Sequence, residues 1–345
     1  MALFGRSKSS LGLDIGSGFV KVVEVDHSGS QPEVTRVAMR PMVPDAIVEG
    51  EVMDPGLVAE SIRSLFQDEG IKSREVVTGV GGHDVIIKKI VMDRMNEADA
   101  REVIRWEAET HVPFDIKSVQ LDFQILNPGA EGLQMDVLLV AAKRELIDNK
   151  INLLQDAGLA AGVIDVEAFA LHNAFQYNYP EANKGIVALV TVGHDTTSVI
   201  ILEDGVPIVT RETTFGSRKV REDLQRERGL TSEQAEDIVQ GRDQIPDLER
   251  FVDSSADEVA VGIERASAFL VTQHSGAGLG RIYLCGGGAR FPGMVEALGR
   301  RMGIETTLVN PFERIPVNPE AAPNLNLDEA APMLLLALGL ALRRA

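Results

Sequence analysis

Two stretches of this chain repeat one plan, in which an apolar strand, a turn containing glycine and a second apolar strand follow each other. The first covers residues 11–25, with its turn at 16–18, and the second covers residues 189–202, with its turn at 193–196. Alternating apolar residues on both sides of such a turn predict a β-hairpin. Two matching hairpins in one chain indicate two related α/β halves that face a shared cleft.

The first turn has the residue types of a phosphate-binding hairpin. Glycine removes the side chain that would keep the backbone away from an anion, so the N–H groups of residues 16–18 could face one. Ser17 adds a hydroxyl, and Asp14 sits where a carboxylate could hold a hydrated divalent cation against phosphate oxygens. On this stretch alone, an ordinary hairpin with a glycine-rich turn is the simpler interpretation. A third glycine-rich turn at 286–289 makes the ordered set more specific than any one member.

Composition limits the classes of function. With 345 residues, of which 44% are hydrophobic, the chain is long enough for two lobes with separate cores. Its net charge of −18 disfavours a nucleic-acid binder, which needs a basic face. A single cysteine cannot form an internal disulfide, which fits a reducing compartment. No secretory signal or spanning segment is predicted, because the apolar run at 333–342 is about half the length that a bilayer requires. We therefore expect a cytoplasmic protein in which this run is a buried helix.

The three turns, together with residues 85–90, 107–114, 165–171 and 211–216, resemble the actin-like ATPase superfamily. Within that superfamily the chain is most similar to the PilM family of type IV pilus assembly proteins, from about residue 10 to the end. The resemblance implies an α/β fold of the actin-like (ribonuclease H-like) type, with two lobes, an inserted subdomain of the FtsA type and a nucleotide cleft between the lobes.

The resemblance and the strand and helix patterns together give a domain division. We expect the core of the first lobe at 10–74 and 143–184, with an inserted α/β subdomain at 75–142. The second lobe should cover 185–330, with a smaller helical subdomain at about 216–270. The helix at 331–345 should return to the first lobe.

The resemblance also implies ATP and Mg²⁺ as cofactors. The residues that match the nucleotide-contacting positions of the family are Asp14, Gly16, Ser17, Gly18, Lys21, Gly193, His194, Asp195, Thr196, Lys219, Glu222, Gly286, Gly287, Gly288 and Ala289. Asp14 would also face the metal and take part in catalysis.

Glu167 is a further candidate site residue, and Glu167, Lys219 and Glu222 each have a competing structural explanation. Glu167 matches a glutamate that positions water in related ATPases, but a carboxylate is also favoured at a helix N-terminus by the helix dipole. Lys219 and Glu222 match residues beside the adenosine, but they would equally suit an exposed helix face. Residues 286–289 would let the backbone approach the adenine ring.

One position departs from the family pattern. The superfamily usually has an aspartate in the second hairpin, matching Asp14 in the first, and Thr191 stands there instead. Two such carboxylates organise magnesium and the attacking water. Losing one should weaken hydrolysis more than binding, so we expect ATP binding with weak or absent ATPase activity. Asp195, four residues on, could substitute in part.

The implied role is a scaffold for pilus assembly and twitching motility beneath the inner membrane. Its expected partners are the cytoplasmic N-terminal segment of PilN and other inner-membrane proteins of the pilus platform, with membrane association only through them. The inserted subdomain would be a partner surface, on which Trp106 could be an aromatic anchor. Alternatively, Val103, Ile104 and Trp106 pack inward as core. A homo-oligomer or filament stays open by analogy with actin.

Alternative functions within the same fold are an FtsA-like division protein, a component of a type II secretion platform, and a sugar kinase. An FtsA-like protein should carry an amphipathic membrane helix after a linker, and a secretion-platform subunit should continue into a spanning helix. Neither feature is expected here. A kinase needs a catalytic base over a substrate cleft, and no sequence feature demands one.

Three further structures are predicted from local sequence. Residues 1–10 are expected to be a frayed tail, and Pro128-Gly129 to form a turn. The polar, acidic residues 241–257 are expected to form a loop before a helix that runs to about residue 275.

Overall fold

The computed structural model describes residues 9–127, 132–268, 270 and 278–343. Most of the predicted N-terminal tail, the predicted turn at 128–129, the end of the helix predicted to reach residue 275 and the last two residues of the predicted C-terminal helix lie outside these ranges. The described residues up to Gly79 and from Leu153 onward form one compact unit, and Val80–Asn152 form a second.

The larger unit contains two five-stranded sheets. The strands of the first sheet are β1 (Ser9–Ile15), β2 (Phe19–Asp26), β3 (Glu33–Pro41), β6 (Glu75–Val80) and β10 (Ala160–Val166). Those of the second are β11 (Ile186–Val192), β12 (Thr197–Glu203), β13 (Val206–Thr213), β14 (Arg281–Cys285) and β15 (Thr306–Leu308). A two-stranded hairpin of β4 (Ile47–Val48) and β5 (Glu51–Val52) follows the first three strands.

The two sheets share one strand order. The first runs β3-β2-β1-β6-β10 and the second β13-β12-β11-β14-β15. In each sheet the first two strands of the half pair antiparallel, and the opening strand of the half pairs parallel with the strand on its other side. The two α/β halves predicted from the repeated hairpins are therefore confirmed, and the fold is the two-lobed α/β fold expected from the sequence.

The helices follow the local sequence signals closely. They are α1 (Pro55–Asp68), α2 (Glu97–Glu109), α3 (Arg144–Asp156), α4 (Glu167–Asn178), α5 (Ser217–Arg228), α6 (Ser232–Val239), α7 (Leu248–Ser267), α8 (Met294–Met302), α9 (Leu327–Ala330) and α10 (Leu335–Leu342). The carboxylate of Asp54 caps α1 and Pro55 occupies its first turn. Thr231 and Gln234 form a reciprocal capping box at the start of α6.

A loop predicted at residues 241–257 is wrong for its second half, because α7 begins at Leu248. The acidic residues of this stretch concealed an apolar stripe at helical spacing, in which Phe251, Val252, Ala256 and Val259 are buried. A charged composition is compatible with a helix when one face remains apolar.

The C-terminal helix lies between the two sheets of the larger unit. Helices α10 and α4 share one buried core with residues of β2, β3, β11, β12 and β14. A Cβ atom added to Gly12 of β1 would lie 2.1 Å from the carbonyl oxygen of Ala337, and one added to Gly339 would lie 1.9 Å from the carbonyl oxygen of Ala170. The two glycines therefore let α10 contact the backbones of β1 and α4 directly. The described helices include none that has both the length and the apolar character to span a bilayer.

The smaller unit, Val80–Asn152, has its own sheet and core. Strands β7 (Val85–Asp93), β9 (Gln134–Lys143) and β8 (Val119–Ile125) are antiparallel in that order. Buried residues of α2, including Ile104, pack on one core with this sheet. The unit overlaps the inserted subdomain expected at 75–142, and the domain boundaries given above remain a prediction.

We predict that Gly339→Ala lowers the free energy of unfolding by about 3 kcal/mol, because a methyl group has no room against Ala170. Helix propensity alone would make the same change stabilising by about 1 kcal/mol, so the sign reports the backbone contact. Gly278→Ala is the matched control, since a Cβ there meets no atom within 4 Å. Urea unfolding of both variants measures the difference. An equal or higher stability of Gly339→Ala would contradict the close contact.

Candidate functional site

The turns of the two predicted hairpins lie against each other. Each turn is closed by an equivalent backbone hydrogen bond, in which Gly16 N–H donates to Phe19 O at 3.1 Å and Gly193 N–H donates to Thr196 O at 2.8 Å. A Cβ atom on Gly18 would lie 3.1 Å from Cβ of His194. A larger residue at position 18 would therefore have to displace the His194 side chain by a few tenths of an ångström.

The hydrogen bond of Gly16 changes one expectation. Its N–H group is used inside the turn, so it does not face an anion as the sequence predicted. Ser17 and Gly18 remain at the tip of the turn. The assignment of this turn to a phosphate site stays a prediction, now carried by these two residues.

Asp14 and Lys21 form an ion pair across the first hairpin. They are register partners on β1 and β2, and the Lys21 ammonium donates to Asp14 Oδ2. The side chains are only 8% and 14% exposed, respectively. The charge of Asp14 is therefore neutralised by the protein itself.

Thr191 occupies the position of the aspartate usual in the superfamily, and it faces a thiol. Its hydroxyl lies 3.1 Å from Sγ of Cys285, its register partner on β14. Burial raises the pKa of Cys285 to about 12, against smaller opposing effects of the Thr191 hydrogen bond and the Lys21 charge. The thiol is protonated at neutral pH, so this side of the hairpin is uncharged.

His194 contacts a residue that the sequence analysis missed. Nη2 of Arg221, on α5, lies 2.9 Å from both ring nitrogens of His194, and Nη1 donates to Glu236 at 2.6 Å. The pKa of His194 is lowered, first by burial and next by the positive charge of Arg221. The imidazole is therefore neutral at pH 7 and can accept a hydrogen bond from the guanidinium. The only sequence signal was a cation on the helix that follows the second hairpin.

Asp195 is buried beside the same imidazole. Its Oδ2 accepts a hydrogen bond from the backbone N–H of Glu49 at 3.1 Å, and its Oδ1 lies 3.6 Å from Nε2 of His194. Oδ1 has no hydrogen-bond partner among the described residues. The substitution of Asp195 for the missing aspartate stays a prediction.

Two of the residues predicted beside the adenosine lie on an exposed helix face. Lys219 and Glu222 lie on the exposed side of α5, where Lys219 pairs with Asp223 at 2.6 Å and Glu222 accepts from Arg218 at 3.0 Å. Pairs at this helical spacing are typical of a solvated surface. A nucleotide contact of Lys219 and Glu222 therefore stays a prediction.

The third glycine turn has a packing explanation at two of its positions. Gly286 has φ +91°, and a Cβ on it would lie 2.3 Å from Val192 O. A Cβ on Gly288 would lie 2.3 Å from Cγ1 of the same valine. These glycines let the turn pack on the end of β11. Ala289 is buried in the same core as Val192, whereas a Cβ on Gly287 would make only ordinary contact with Met333. The adenine contact predicted for the four residues remains untested.

Glu167 is the first residue of α4, as predicted, and it closely approaches β6. A Cβ on Gly79 would lie 2.6 Å from Cγ of Glu167. Both the catalytic and the structural explanation of this carboxylate stay open.

The smaller unit carries an open pocket beside its tryptophan. The pocket has a volume of about 470 Å³. Its lining residues are Arg105, Trp106, Glu109, Phe114, Asp115, Ile116 and Lys117. Trp106 is 72% exposed, so the alternative in which it packs inward is wrong, although Ile104 is buried as that alternative expected. The helix turns Ile104 toward the sheet, and Trp106, two residues on, points away from that face.

Comparison with known proteins identifies the family. The model of a family described as type IV pilus assembly protein PilM matches residues 12–345. The chain belongs to the PilM family. A solved PilM–PilN type IV pilus biogenesis complex contains a chain that is 30% identical, covering 98% of this chain and 99% of that one with a TM-score of 0.83.

More distant relatives share the fold. The cell division protein FtsA of Bacillus subtilis is 22% identical over 250 residues, which is 66% of this chain and only 56% of FtsA. The ethanolamine utilization protein EutJ of Carboxydothermus hydrogenoformans has a TM-score of 0.58 at 18% identity, covering 97% of this chain and 89% of EutJ. MreB5 of Spiroplasma citri bound to AMPPNP has a TM-score of 0.52 at 10% identity, covering 97% and 95%. The actin-like fold of this PilM family member is thereby shown.

We predict that Lys21→Met destabilises the protein by about 3 kcal/mol, because Asp14 would stay buried without its cation. Adding Asp14→Asn should recover at least half of the loss, since no buried charge would remain. The control is Lys219→Met, which removes an exposed ion pair and should cost less than about 1 kcal/mol. Urea unfolding of the three variants and the wild type measures these differences in the free energy of unfolding. A double variant as unstable as Lys21→Met would show that the pair is not the cause.

Proposed function

We propose that this protein is an ATP-binding scaffold of the type IV pilus machine that docks on the cytoplasmic segment of PilN under the inner membrane. The family match over residues 12–345 and the similarity to a protein solved with PilN support the partner. The observation that carries the nucleotide site is the contact between the two hairpin turns at Gly18 and His194. Support of twitching motility and binding to other platform proteins belong to the same proposal.

The nucleotide phosphates are proposed to bind where the two turns meet. The amides of Ser17 and Gly18 would contact one side, and the ammonium of Lys21 lies on the adjoining strand. On the other side, Arg221 brings a guanidinium to His194. Guanidinium and ammonium groups and turn amides are the usual partners of phosphate oxygens. The fold shared with an MreB bound to AMPPNP supports the site without assigning its residues.

Magnesium would fit this cleft only together with the phosphates, whose oxygens would provide part of its coordination shell. Among the described residues no group of three or more His, Cys, Asp or Glu side chains is arranged for a metal. Mg²⁺ commonly takes one or two carboxylates and completes its shell with phosphate and water oxygens. Asp14 would help to hold such an ion if Lys21 moved to a phosphate. The ion would supply positive charge to the phosphate oxygens.

Slow or absent turnover follows from Thr191 in this proposal. The Thr191 hydroxyl is neutral, and it is hydrogen-bonded to a thiol that is itself protonated. Neither group supplies the negative charge that would orient an attacking water. The proposed phosphate contacts of Ser17, Gly18, Lys21 and Arg221 do not include Thr191. We therefore expect nucleotide affinity without comparable hydrolysis.

An FtsA-like division role is the second candidate, and it has weaker support. The match to FtsA covers 56% of that protein at 22% identity, against nearly complete coverage of the PilM relative at 30%. No observation on the described residues favours a secretion-platform subunit or a kinase.

We predict that Thr191→Asp raises single-turnover ATP hydrolysis at least about tenfold, because it restores the missing carboxylate. Thr191→Asn has nearly the same shape without the charge and should leave hydrolysis unchanged. The ATP dissociation constants of the two variants should differ less than their rates do. Wild-type protein that hydrolyses ATP as fast as Thr191→Asp would contradict slow turnover.

We predict that the protein binds a synthetic peptide from the N-terminal tail of its cognate PilN, and that Trp106→Ala weakens binding about tenfold or more. Val91→Ala is the control, because Val91 is also exposed on the smaller unit but does not line the pocket. Fluorescence titration with and without magnesium-ATP measures both affinities. Failure to bind under either condition would remove the scaffold proposal, while equal binding by Trp106→Ala would remove only its assignment to this pocket.

A further inference from the structure

An apolar surface is displayed by a short segment next to the cleft. Eight large apolar side chains are exposed in the described part of the chain, and four of them lie within residues 43–57. These are Val43, Val52, Met53 and Leu57, with exposed fractions of 37%, 38%, 65% and 42%. Isolated exposed apolar residues are normal, but a local concentration of them marks interaction surfaces.

Hydrogen bonds fold the 43–57 segment into one small structure. Ala46 N–H donates to Val43 O at 3.2 Å, and Met53 N–H donates to Ala46 O at 2.9 Å. The carboxylate of Asp54 accepts from Leu57 N–H at 3.0 Å. Strands β4 and β5 pair inside the segment, and Ala46 and Ile47 are buried in the core of the first sheet. The four apolar side chains therefore all stand on one short, hydrogen-bonded stretch of backbone.

Two contacts fix the segment to the second lobe. Arg218 Nη2 donates to Asp45 Oδ1 at 2.8 Å, and Glu49 N–H donates to Asp195 Oδ2 at 3.1 Å. Asp45 and Glu49 have φ angles of 60° and 50°, a left-handed conformation that residues other than glycine adopt rarely. The surroundings hold both residues in this conformation, so the segment is preorganised.

The charge around these residues selects the kind of partner. Residues 41–62 contain five acidic residues and no Lys, Arg or His, in a chain of net charge −18. The acidic residues are Asp45, Glu49, Glu51, Asp54 and Glu60. Asp45 pairs with Arg218 and Glu60 with Arg63, so the acidic rim offered to a partner consists of Glu49, Glu51 and Asp54. Anionic lipid and nucleic acid would be repelled. Two copies of the segment placed face to face would also bring like charges together. A basic segment with apolar side chains would be complementary in both respects.

We propose that the 43–57 segment docks a short stretch of another protein in which apolar side chains are flanked by Lys or Arg. The apolar side chains of that stretch would cover Met53 and its neighbours, and its cations would face the acidic rim. This surface consists of residues of the larger unit, whereas the tryptophan pocket consists of residues of the smaller unit, and the proposal requires neither ATP nor PilN.

The test uses an immobilised library of random 12-residue peptides, probed with the full-length protein. Wild type is compared with the double variant Met53→Ser/Leu57→Ser and with the control Leu133→Ser, which removes an 88% exposed leucine of the smaller unit. We expect a set of peptides that wild type and the control bind alike and that the double variant binds at least tenfold more weakly. That set should be enriched in Lys or Arg together with Leu, Ile or Phe.

Two results would overturn the proposal. One is the absence of peptides whose binding depends on Met53 and Leu57, or the finding that such peptides are acidic or purely polar. The other is a wild-type dimer in sedimentation experiments that the double variant loses, because the occupant would then be a second copy of the chain. Thermal unfolding verifies that the double variant is folded, as expected for changes at exposed positions.

Discussion

The contact that positions the cleft is the direct approach of the C-terminal helix α10 to β1 and α4. Gly12 and Gly339 remove the side chains that would separate these backbones. The helix is almost wholly apolar, and its residues complete a core to which both sheets contribute. Because β1 and β11 each lead into one hairpin turn, the packing of this layer decides how closely Gly18 and His194 approach. Gly339 itself faces the backbone of Ala170 on α4, and Gly12 of β1 faces the backbone of Ala337 on α10.

The charges in the cleft are balanced within the protein. Asp14 is neutralised by Lys21, the Thr191 side chain is bonded to a protonated thiol, and the imidazole of His194 is neutral beside Arg221. A polyanion that entered the cleft would therefore meet cations already committed to other partners, and binding would require Lys21 or Arg221 to exchange them. Asp195 is the exception in this cleft: its Oδ2 accepts a backbone hydrogen bond from Glu49, whereas its Oδ1 has no hydrogen-bond partner among the described residues.

Local patterns in the sequence were sufficient for much of this fold. The repeated hairpins predicted two related sheets because the signal lies within about fifteen residues of chain, where alternation and turn glycines decide the structure. The helix caps at Asp54 and Thr231 are equally local. The loop predicted across the start of α7 is wrong because the acidic residues there conceal the helical spacing of Phe251, Val252 and Ala256. Periodicity, which reports burial on one face, was the better guide.

The contacts of the candidate site were harder to predict from the sequence than the fold was, because they join distant parts of the chain. Arg221 meets His194 across 27 residues and Glu49 meets Asp195 across 146, and neither pair leaves a pattern in a single sequence. For the glycines at 286 and 288, the residues could be recognised in the sequence but their structural role could not. Their presence was visible, but the reason, contact with Val192, requires the structure.

Thr191 also affects whether the nucleotide cycle of the protein can release free energy. If ATP is held without being cleaved, the cycle of nucleotide binding and release has no irreversible step and releases no free energy. Each occupancy state would then be populated according to the cellular ratio of ATP to ADP and to the partners bound at that moment. Any partner that tightened ATP binding would itself be bound more tightly by the same factor. The nucleotide state of such a protein would respond reversibly to its ligands and partners, whereas hydrolysis would drive the nucleotide cycle in one direction.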